Sequence, residues 1–208
     1  MELYTPLSDT VQALEQEFGL VPPERKQRLQ QLTAYIQQKQ AQGQPVRLNF
    51  ICTHNSRRSH MAQLWALAAA TRYGIADVTC FSGGTEATAF NPKAVKAMQL
   101  VGFRIERSGD GDNPIYQASH APEQPAVQVW SKAVTDAANP ATAFAAIMTC
   151  SDADRNCPFV PGTELRLALP YEDPKAFDGT PQEAEKYTER ARQIGRELLY
   201  AFHWLKKK

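Results

Sequence analysis

One stretch of the chain, Leu48 to Ala62, constrains the fold more than any other. Its sequence is Leu-Asn-Phe-Ile-Cys-Thr-His-Asn-Ser-Arg-Arg-Ser-His-Met-Ala. The pattern predicts a buried strand, a short polar turn and the first turns of a helix. A strand that leads through a tight turn into a helix is the basic unit of α/β proteins with a parallel sheet. The stretch therefore predicts that fold class.

The turn in this stretch has the chemistry of an oxyanion site. Its backbone N–H groups would converge on one point, where the N-terminus of the following helix adds positive potential. Arg58 would offer two parallel donors to a tetrahedral anion, and the same surroundings favour Cys52 as a thiolate nucleophile. Ser59 could donate a hydrogen bond to that sulfur. The predicted oxyanion-binding residues are Thr53, His54, Asn55, Ser56, Arg57, Arg58 and Ser59.

From Val46 onwards, predicted strands alternate with predicted helices. The strands cover Val46–Cys52, Val78–Ser82, Ala145–Thr149 and Leu165–Leu169, and the helices cover 59–73, 92–101 and a long segment that Thr180 caps. This alternation indicates a three-layer, doubly wound, mostly parallel sheet. Ligands of such sheets lie at the carboxyl ends of the strands. Cys52, Cys150 and an acidic segment after Leu169 all fall at such ends.

Two parts of the chain lie outside this alternation. Residues 1–45 are predicted to form an N-terminal helical extension, and 46–208 to form the catalytic domain. Two amphipathic helices of this length bury little alone, so we expect them to pack on the main body or on a partner subunit. Residues 113–131 are predicted to form an inserted β-hairpin that extends a sheet or contacts a subunit. Because either part could contact a partner subunit, a homodimer is one of the arrangements that the sequence allows.

Composition excludes several classes of function. A net charge of +1 over 208 residues gives no electrostatic basis for binding nucleic acid or an anionic membrane. No apolar run approaches the ~18 residues of a membrane-spanning helix, and no export signal is visible. Four cysteines are too few for a disulfide scaffold, so we expect reduced thiols in the cytoplasm. We expect no metal and no bound cofactor.

Several motifs together resemble the low-molecular-weight protein tyrosine phosphatase superfamily. They are 51–62, Ser82-Gly83-Gly84-Thr85-Glu86-Ala87, Asn91-Pro92 and Ala94-Val95-Lys96-Ala97-Met98. Cys150 and Cys157, followed by Pro158, make the chain most similar to the thioredoxin-coupled arsenate reductases. The resemblance covers about Val46 to Trp204.

The resemblance implies a role for each candidate residue. Cys52 is the implied nucleophile, and Arg58 with the loop amides would hold the oxyanion and its transition state. Asp173 is the implied general acid that protonates the departing oxygen. Asn55 would fix the loop through bonds to Ser59 and Ser82.

A reductase of this kind implies a relay of three thiols. Cys52 would attack arsenate, Cys150 would attack Cys52 and release arsenite, and Cys157 would attack Cys150. Thioredoxin would then reduce the Cys150–Cys157 disulfide. The segment between these two cysteines would have to move.

Two other functions stay open. A phosphomonoester hydrolase would need only Cys52, Arg58 and Asp173, although Lys175 and Ala176 stand where such phosphatases usually carry aromatic residues. A non-catalytic oxyanion-binding or thiol redox-sensor module is the other alternative, but it has no need of a proton donor. The chain also departs from the superfamily pattern at two loop positions, His54 for the usual glycine and Arg57 for a frequent cysteine.

Overall fold

The computed structural model describes residues 2–157 and 159–206 of the chain. Pro158 of the cysteine motif, and Met1, Lys207 and Lys208 of the predicted domains, lie outside the described residues. The helices are α1 (Thr5–Gln16), α2 (Pro23–Ala41), α3 (Arg58–Tyr73), α4 (Pro92–Leu100), α5 (Ser151–Asn156) and α6 (Glu183–His203). The strands are β1 (Val46–Cys52), β2 (Val78–Gly84), β3 (Arg104–Arg107), β4 (Tyr116–Ser119), β5 (Val127–Val129), β6 (Phe144–Met148) and β7 (Thr163–Ala168).

Four strands form the central sheet in the order β2-β1-β6-β7, and every neighbouring pair is parallel. The predicted α/β class and parallel sheet are therefore confirmed. The chain leaves β1 towards β2 on one side and later returns to β6 on the other side. The carboxyl ends of β1 and β6 consequently flank a topological switch point, where α/β sheets form their ligand crevice. Cys52 is the last residue of β1.

Helices cover both faces of the sheet. On one face α3 packs against β1, β2 and α6, and on the other α5 packs against β1 and β6. Because both faces are covered, all five residues of β6 are buried apolar side chains. The close approach of α3 and α6 depends on Gly195, since a Cβ there would lie 2.6 Å from the ring of Trp65.

The start of the last helix differs from the prediction. It begins at Glu183 after Gln182, whose side chain makes no capping bond. Thr180 instead donates its hydroxyl to the carbonyl oxygen of Phe177 at 2.7 Å. Thr180 Oγ1 also accepts the Gln182 N–H at 3.3 Å. Its side chain therefore serves the turn before the helix, where such local side chain-to-backbone bonds are common.

A second, antiparallel sheet has the order β3-β4-β5. The predicted hairpin is confirmed as β4 and β5, although its first strand begins at Tyr116 rather than Asn113. The strand β3, of sequence Arg-Ile-Glu-Arg, was not predicted, because only Ile105 in it is buried. After β5 the chain returns to the main sheet, where Ala133 forms a parallel bridge with Gly84.

Both N-terminal helices pack on the body of the molecule. They contact α6, and α2 also contacts β7. Their buried residues join the main core and include Leu7, Val11 and Leu14 of α1 and Leu29, Leu32 and Ile36 of α2. Of the two expected arrangements, packing on the main body is the one observed. Among the described helices, none has the length and apolar content needed to cross a bilayer.

Candidate active site

Neighbouring segments donate hydrogen bonds to the backbone carbonyl groups of the loop that follows β1. The bonds are Thr85 N–H to Cys52 O (3.3 Å), Glu86 N–H to Thr53 O (2.8 Å), Ser131 Oγ and Thr88 Oγ1 to His54 O (both 3.0 Å), and Asn91 N–H to Ser56 O (2.9 Å). Each carbonyl oxygen is thus directed away from the centre of the loop, which leaves the centre to the N–H groups.

The N–H groups of the loop are the donors available to an anion. In the described part of the chain, the backbone N–H groups of 53–58 donate to no backbone acceptor. The N-terminal end of α3, a helix of 16 residues, lies at the same place and adds positive potential. Gly84 permits this geometry, because a Cβ there would lie 2.7 Å from both Asn55 N and Thr53 O.

A chain of hydrogen bonds leads to the sulfur of Cys52. Asn55 donates its side-chain N–H to Ser59 Oγ at 2.9 Å, and Ser59 Oγ lies 3.1 Å from Cys52 Sγ. Because Ser59 Oγ accepts from Asn55, its own hydrogen is free to point at the sulfur. Cys52 is only 3% exposed. The serine hydroxyl is therefore placed to donate a hydrogen bond to the buried sulfur, as the sequence predicts.

The predicted bond from Asn55 to Ser82 is wrong. The second partner of the Asn55 amide is the backbone N–H of Lys132, which donates to its oxygen at 2.8 Å. Ser82 Oγ is buried without a hydrogen-bond partner among the described residues. Sequence reasoning missed Lys132 because it follows the hairpin, 77 positions after Asn55.

Arg58 is bound to the segment that carries the predicted acid. Its Nη2 donates to Asp173 Oδ2 at 2.7 Å, and its Nη1 donates to the carbonyl oxygen of Tyr171 at 2.8 Å. The side chain of Arg58 is 11% exposed and that of Asp173 is 31% exposed. The structure therefore brings together the predicted oxyanion ligand and the predicted acid.

The side chain of Arg57 is bound to the last helix and lies near Asp173. Its Nε donates to the hydroxyl of Tyr187 at 2.9 Å and lies 3.9 Å from Asp173 Oδ1. A role for Arg57 in anion binding thus stays a prediction for its backbone N–H. No sequence signal marked the hydroxyl of Tyr187, which lies 130 positions after Arg57.

The second predicted thiol lies beside the loop. Thr149 N–H donates to Ile51 O at 2.7 Å and so continues the pairing of β1 with β6. Cys150 follows directly, and its Sγ lies 3.5 Å from Thr53 Oγ1. The sulfur also accepts the Ala153 N–H at 3.3 Å, as the N-cap of α5. Cys150 is fully buried.

The third predicted thiol stands at the other end of α5. Cys157 is the C-cap of that helix, and it is half-buried with its Sγ 3.8 Å from Phe159 O. The remaining cysteine, Cys80, is 6% exposed, and burial raises the pKa of its thiol. Cys80 is therefore an unreactive core residue.

The histidines near the loop have different surroundings. The His54 side chain is 46% exposed and lies 3.6 Å from Glu86. His60 is fully buried, and burial together with the nearby charge of Lys132 lowers its pKa to about 3. Burial also lowers the pKa of Lys132 to about 8. Among the described residues, no group of three or more His, Cys, Asp or Glu side chains could hold a metal ion.

Curated relatives of the chain are arsenate reductases. One from Bacillus subtilis strain 168 is 30% identical over 150 residues, which cover 72% of this chain and 89% of that protein. Arsenate reductase 2 of Staphylococcus epidermidis is 32% identical over 126 residues, or 60% of this chain and 76% of that protein. No protein-family model matches the chain.

Solved structures similar to this one include low-molecular-weight tyrosine phosphatases. The Vibrio cholerae O395 enzyme has a TM-score of 0.54 at 14% identity and covers 78% of this chain and 97% of its own. The phosphatase of T. tengcongensis has a TM-score of 0.52 at 18% identity and covers 77% and 99%. These likenesses show the fold. Together with the 30% identity to the Bacillus enzyme, they place the chain in the low-molecular-weight protein tyrosine phosphatase superfamily, to which it belongs.

Proposed function

We propose that the protein is an arsenate reductase in which Cys52, Cys150 and Cys157 act in turn. One observation carries the proposal: Thr53 Oγ1 lies 3.5 Å from Cys150 Sγ, so a second thiol adjoins the residue that follows Cys52. Phosphate transfer to Cys52 and on to water needs no second thiol, whereas the reductase relay does. The named relatives, which are arsenate reductases, support an oxyanion substrate.

The first step is a displacement at arsenic. The Cys52 thiolate attacks arsenate while the loop amides and Arg58 hold its oxygens. A sulfur–arsenic bond forms and an arsenic–oxygen bond breaks. Asp173 gives its proton to the departing oxygen, which leaves as water.

The second and third steps are displacements at sulfur. Cys150 attacks Cys52 Sγ, the sulfur–arsenic bond breaks, and its electron pair stays on arsenic, which leaves as arsenite. Cys157 then attacks Cys150 Sγ and frees the Cys52 thiolate. The two electrons that arsenic gains come from the thiols of Cys150 and Cys157, which end as a disulfide.

The last step requires α5 to unwind. Seven positions of helix separate the Cα atoms of Cys150 and Cys157 by about 10 Å, whereas a disulfide allows at most about 7 Å. The short helix, six residues long, has few hydrogen bonds to lose. Thioredoxin is the proposed reductant, and the cytoplasm is the proposed compartment.

A cysteine panel tests this proposal. With thioredoxin, thioredoxin reductase, NADPH and arsenate, we expect Cys52→Ala, Cys150→Ala and Cys157→Ala each to abolish continuous NADPH consumption. Single-turnover assays separate the steps, because Cys157→Ala should release one arsenite per chain whereas Cys150→Ala should release none. Cys80→Ala is the matched control and should remain active. Arsenate-independent NADPH consumption in the wild-type protein, or arsenite release by Cys150→Ala, would contradict the relay.

Phosphomonoester hydrolysis is the second candidate function. It is favoured by the contact of Arg58 with Asp173, since these two residues with Cys52 suffice for phosphate transfer to sulfur and on to water. We expect turnover of para-nitrophenyl phosphate to survive Cys150→Ala and Cys157→Ala but not Cys52→Ala. A protein that binds phosphate without turning over either substrate would instead be an oxyanion-binding module.

A further inference from the structure

Two arginines share the carboxylate of Asp173. Oδ2 lies 2.7 Å from Arg58 Nη2, and Oδ1 lies 3.9 Å from Arg57 Nε. The other end of the Arg58 guanidinium donates to the Tyr171 carbonyl. Both Nη groups of Arg58 are thus engaged by 171–173, whereas its Nε is buried without a hydrogen-bond partner among the described residues. An incoming anion has to compete with the chain's own carboxylate for this arginine.

Arg57, by contrast, is held independently of Asp173. The hydroxyl of Tyr187, a residue of α6 that is 1% exposed, accepts from Arg57 Nε at 2.9 Å and donates to Asp178 Oδ1 at 2.9 Å. Asp178 also lies 3.3 Å from Lys93 Nζ. Burial raises the pKa of Tyr187 to about 12, so its hydroxyl keeps the proton that it donates to Asp178. The position of Arg57 is therefore fixed by α6.

We propose that an anion bound to Arg58 displaces the carboxylate of Asp173, which then pairs with Arg57. Arg57, which Tyr187 anchors, is thus the positioning residue of the acid. The inference rests on the proposed role of Asp173 in the proposed function. When the anion binds Arg58, the contact with Arg57 holds the carboxyl group of Asp173 at the mouth of the loop, next to the departing oxygen.

The competition between Asp173 and an anion for Arg58 can be measured by binding alone, without turnover. Phosphate binding by calorimetry should be at least threefold tighter in Asp173→Asn than in the wild-type protein, because the competitor for Arg58 is weakened. Glu172→Gln is the matched control: it removes the same charge one position earlier but no contact with Arg58, and it should change the affinity less than 1.5-fold. An affinity of Asp173→Asn equal to wild type would overturn the proposal.

The positioning role predicts a coupling between Arg57 and Asp173. We expect Arg57→Gln to lower kcat at least tenfold when Asp173 is present but less than twofold in Asp173→Asn, since it acts through that residue. Tyr187→Phe should act in the same direction, and Arg57→Lys should restore part of the rate. Arg72→Gln, which removes an ion-paired arginine at the far end of α3, should leave kcat unchanged.

Two results distinguish failure of this inference from failure of the proposed function. If Arg57→Gln lowers kcat by the same factor in both backgrounds, Arg57 acts on the fold or on the anion and the inference is wrong. The readout is arsenate reduction, or para-nitrophenyl phosphate hydrolysis if arsenate is not reduced. If neither reaction occurs, the proposed function fails, and phosphate binding by Asp173→Asn alone decides whether Asp173 competes for Arg58.

Discussion

At the scale of single residues, Asn55 combines two demands of the loop. Its φ of +42° is in the left-handed region, which asparagine tolerates better than other residues with a side chain. Its amide also donates to Ser59 Oγ and accepts from Lys132 N–H. Glycine would meet the first demand and serine the second only in part. Asparagine therefore joins the loop, the helix α3 and the segment after the hairpin.

Replacing Asn55 separates the two demands. Asn55→Gly keeps the backbone conformation but leaves the Lys132 N–H without its partner, so we expect a loss of about 1–3 kcal/mol of stability and of at least tenfold in kcat. Asn55→Ala adds about 1 kcal/mol for the left-handed backbone. Denaturant unfolding and turnover are the measurements. Asp77→Ala, at another positive φ of 57°, should cost stability but not kcat; full activity of Asn55→Gly would show that the amide is dispensable.

At the scale of elements, the hairpin supports the loop. Its two ends are joined where Asn113 Nδ2 donates to Ser131 O at 2.8 Å and Ser131 N–H donates to Asn113 Oδ1 at 3.1 Å. The hydroxyl of Ser131 then donates to His54 O at 3.0 Å and accepts the Thr88 N–H at 2.8 Å. The insertion outside the superfamily resemblance thus fixes one carbonyl group of the oxyanion loop.

Removing the Ser131 hydroxyl tests this support. Ser131→Ala should lower kcat about tenfold, roughly the effect of one lost hydrogen bond, because His54 O loses one of its two donors. Steady-state kinetics with either substrate measures the effect. Ser119→Ala, which alters the hairpin at the Tyr4 hydroxyl and not at the loop, is the control. Equal effects of the two substitutions would mean that the hairpin acts only on stability.

Elements with a repeating pattern could be predicted from the sequence, and contacts between distant segments could not. The strand from Val46 to Cys52 was predicted with its observed bounds, since apolar runs and turn residues are local signals. The contact of Asn55 with Ser59 was also expected, at a spacing of four residues. The contacts of Asn55 with Lys132 and of Arg57 with Tyr187 could not be predicted. Their residues are 77 and 130 positions apart in the sequence, and they meet only through the packing of distant elements.

At the scale of the whole molecule, buried histidines make stability depend on pH. Burial lowers the pKa of His120 to about 4, and that of His60 is about 3, whereas both are near 6.5 in the unfolded chain. Above pH 6.5 both states carry neutral imidazoles, so the full stability is present. Below that pH the two histidines bind protons in the unfolded chain but stay neutral in the folded chain. The free energy of unfolding therefore falls as the pH decreases towards 4.

The expected slope is up to about 1.4 kcal/mol per pH unit for each histidine. Urea unfolding between pH 6.5 and 5 measures it above the range in which carboxylates titrate. His120→Asn should remove about half of the slope, whatever it costs in stability at pH 7. A slope that His120→Asn leaves unchanged would show that His120 accepts a proton in the folded protein.

Each edge strand of the central sheet is contacted at its carboxyl end by another part of the chain. Arg28 of α2 donates to the Ala168 carbonyl of the edge strand β7, and at the other edge Gly84 of β2 pairs with the segment after the hairpin. Unpaired edge strands are where copies of a β-protein add to one another and aggregate. The helix α2 and the segment after the hairpin therefore each shorten the stretch of free edge to which a strand of a neighbouring molecule could add.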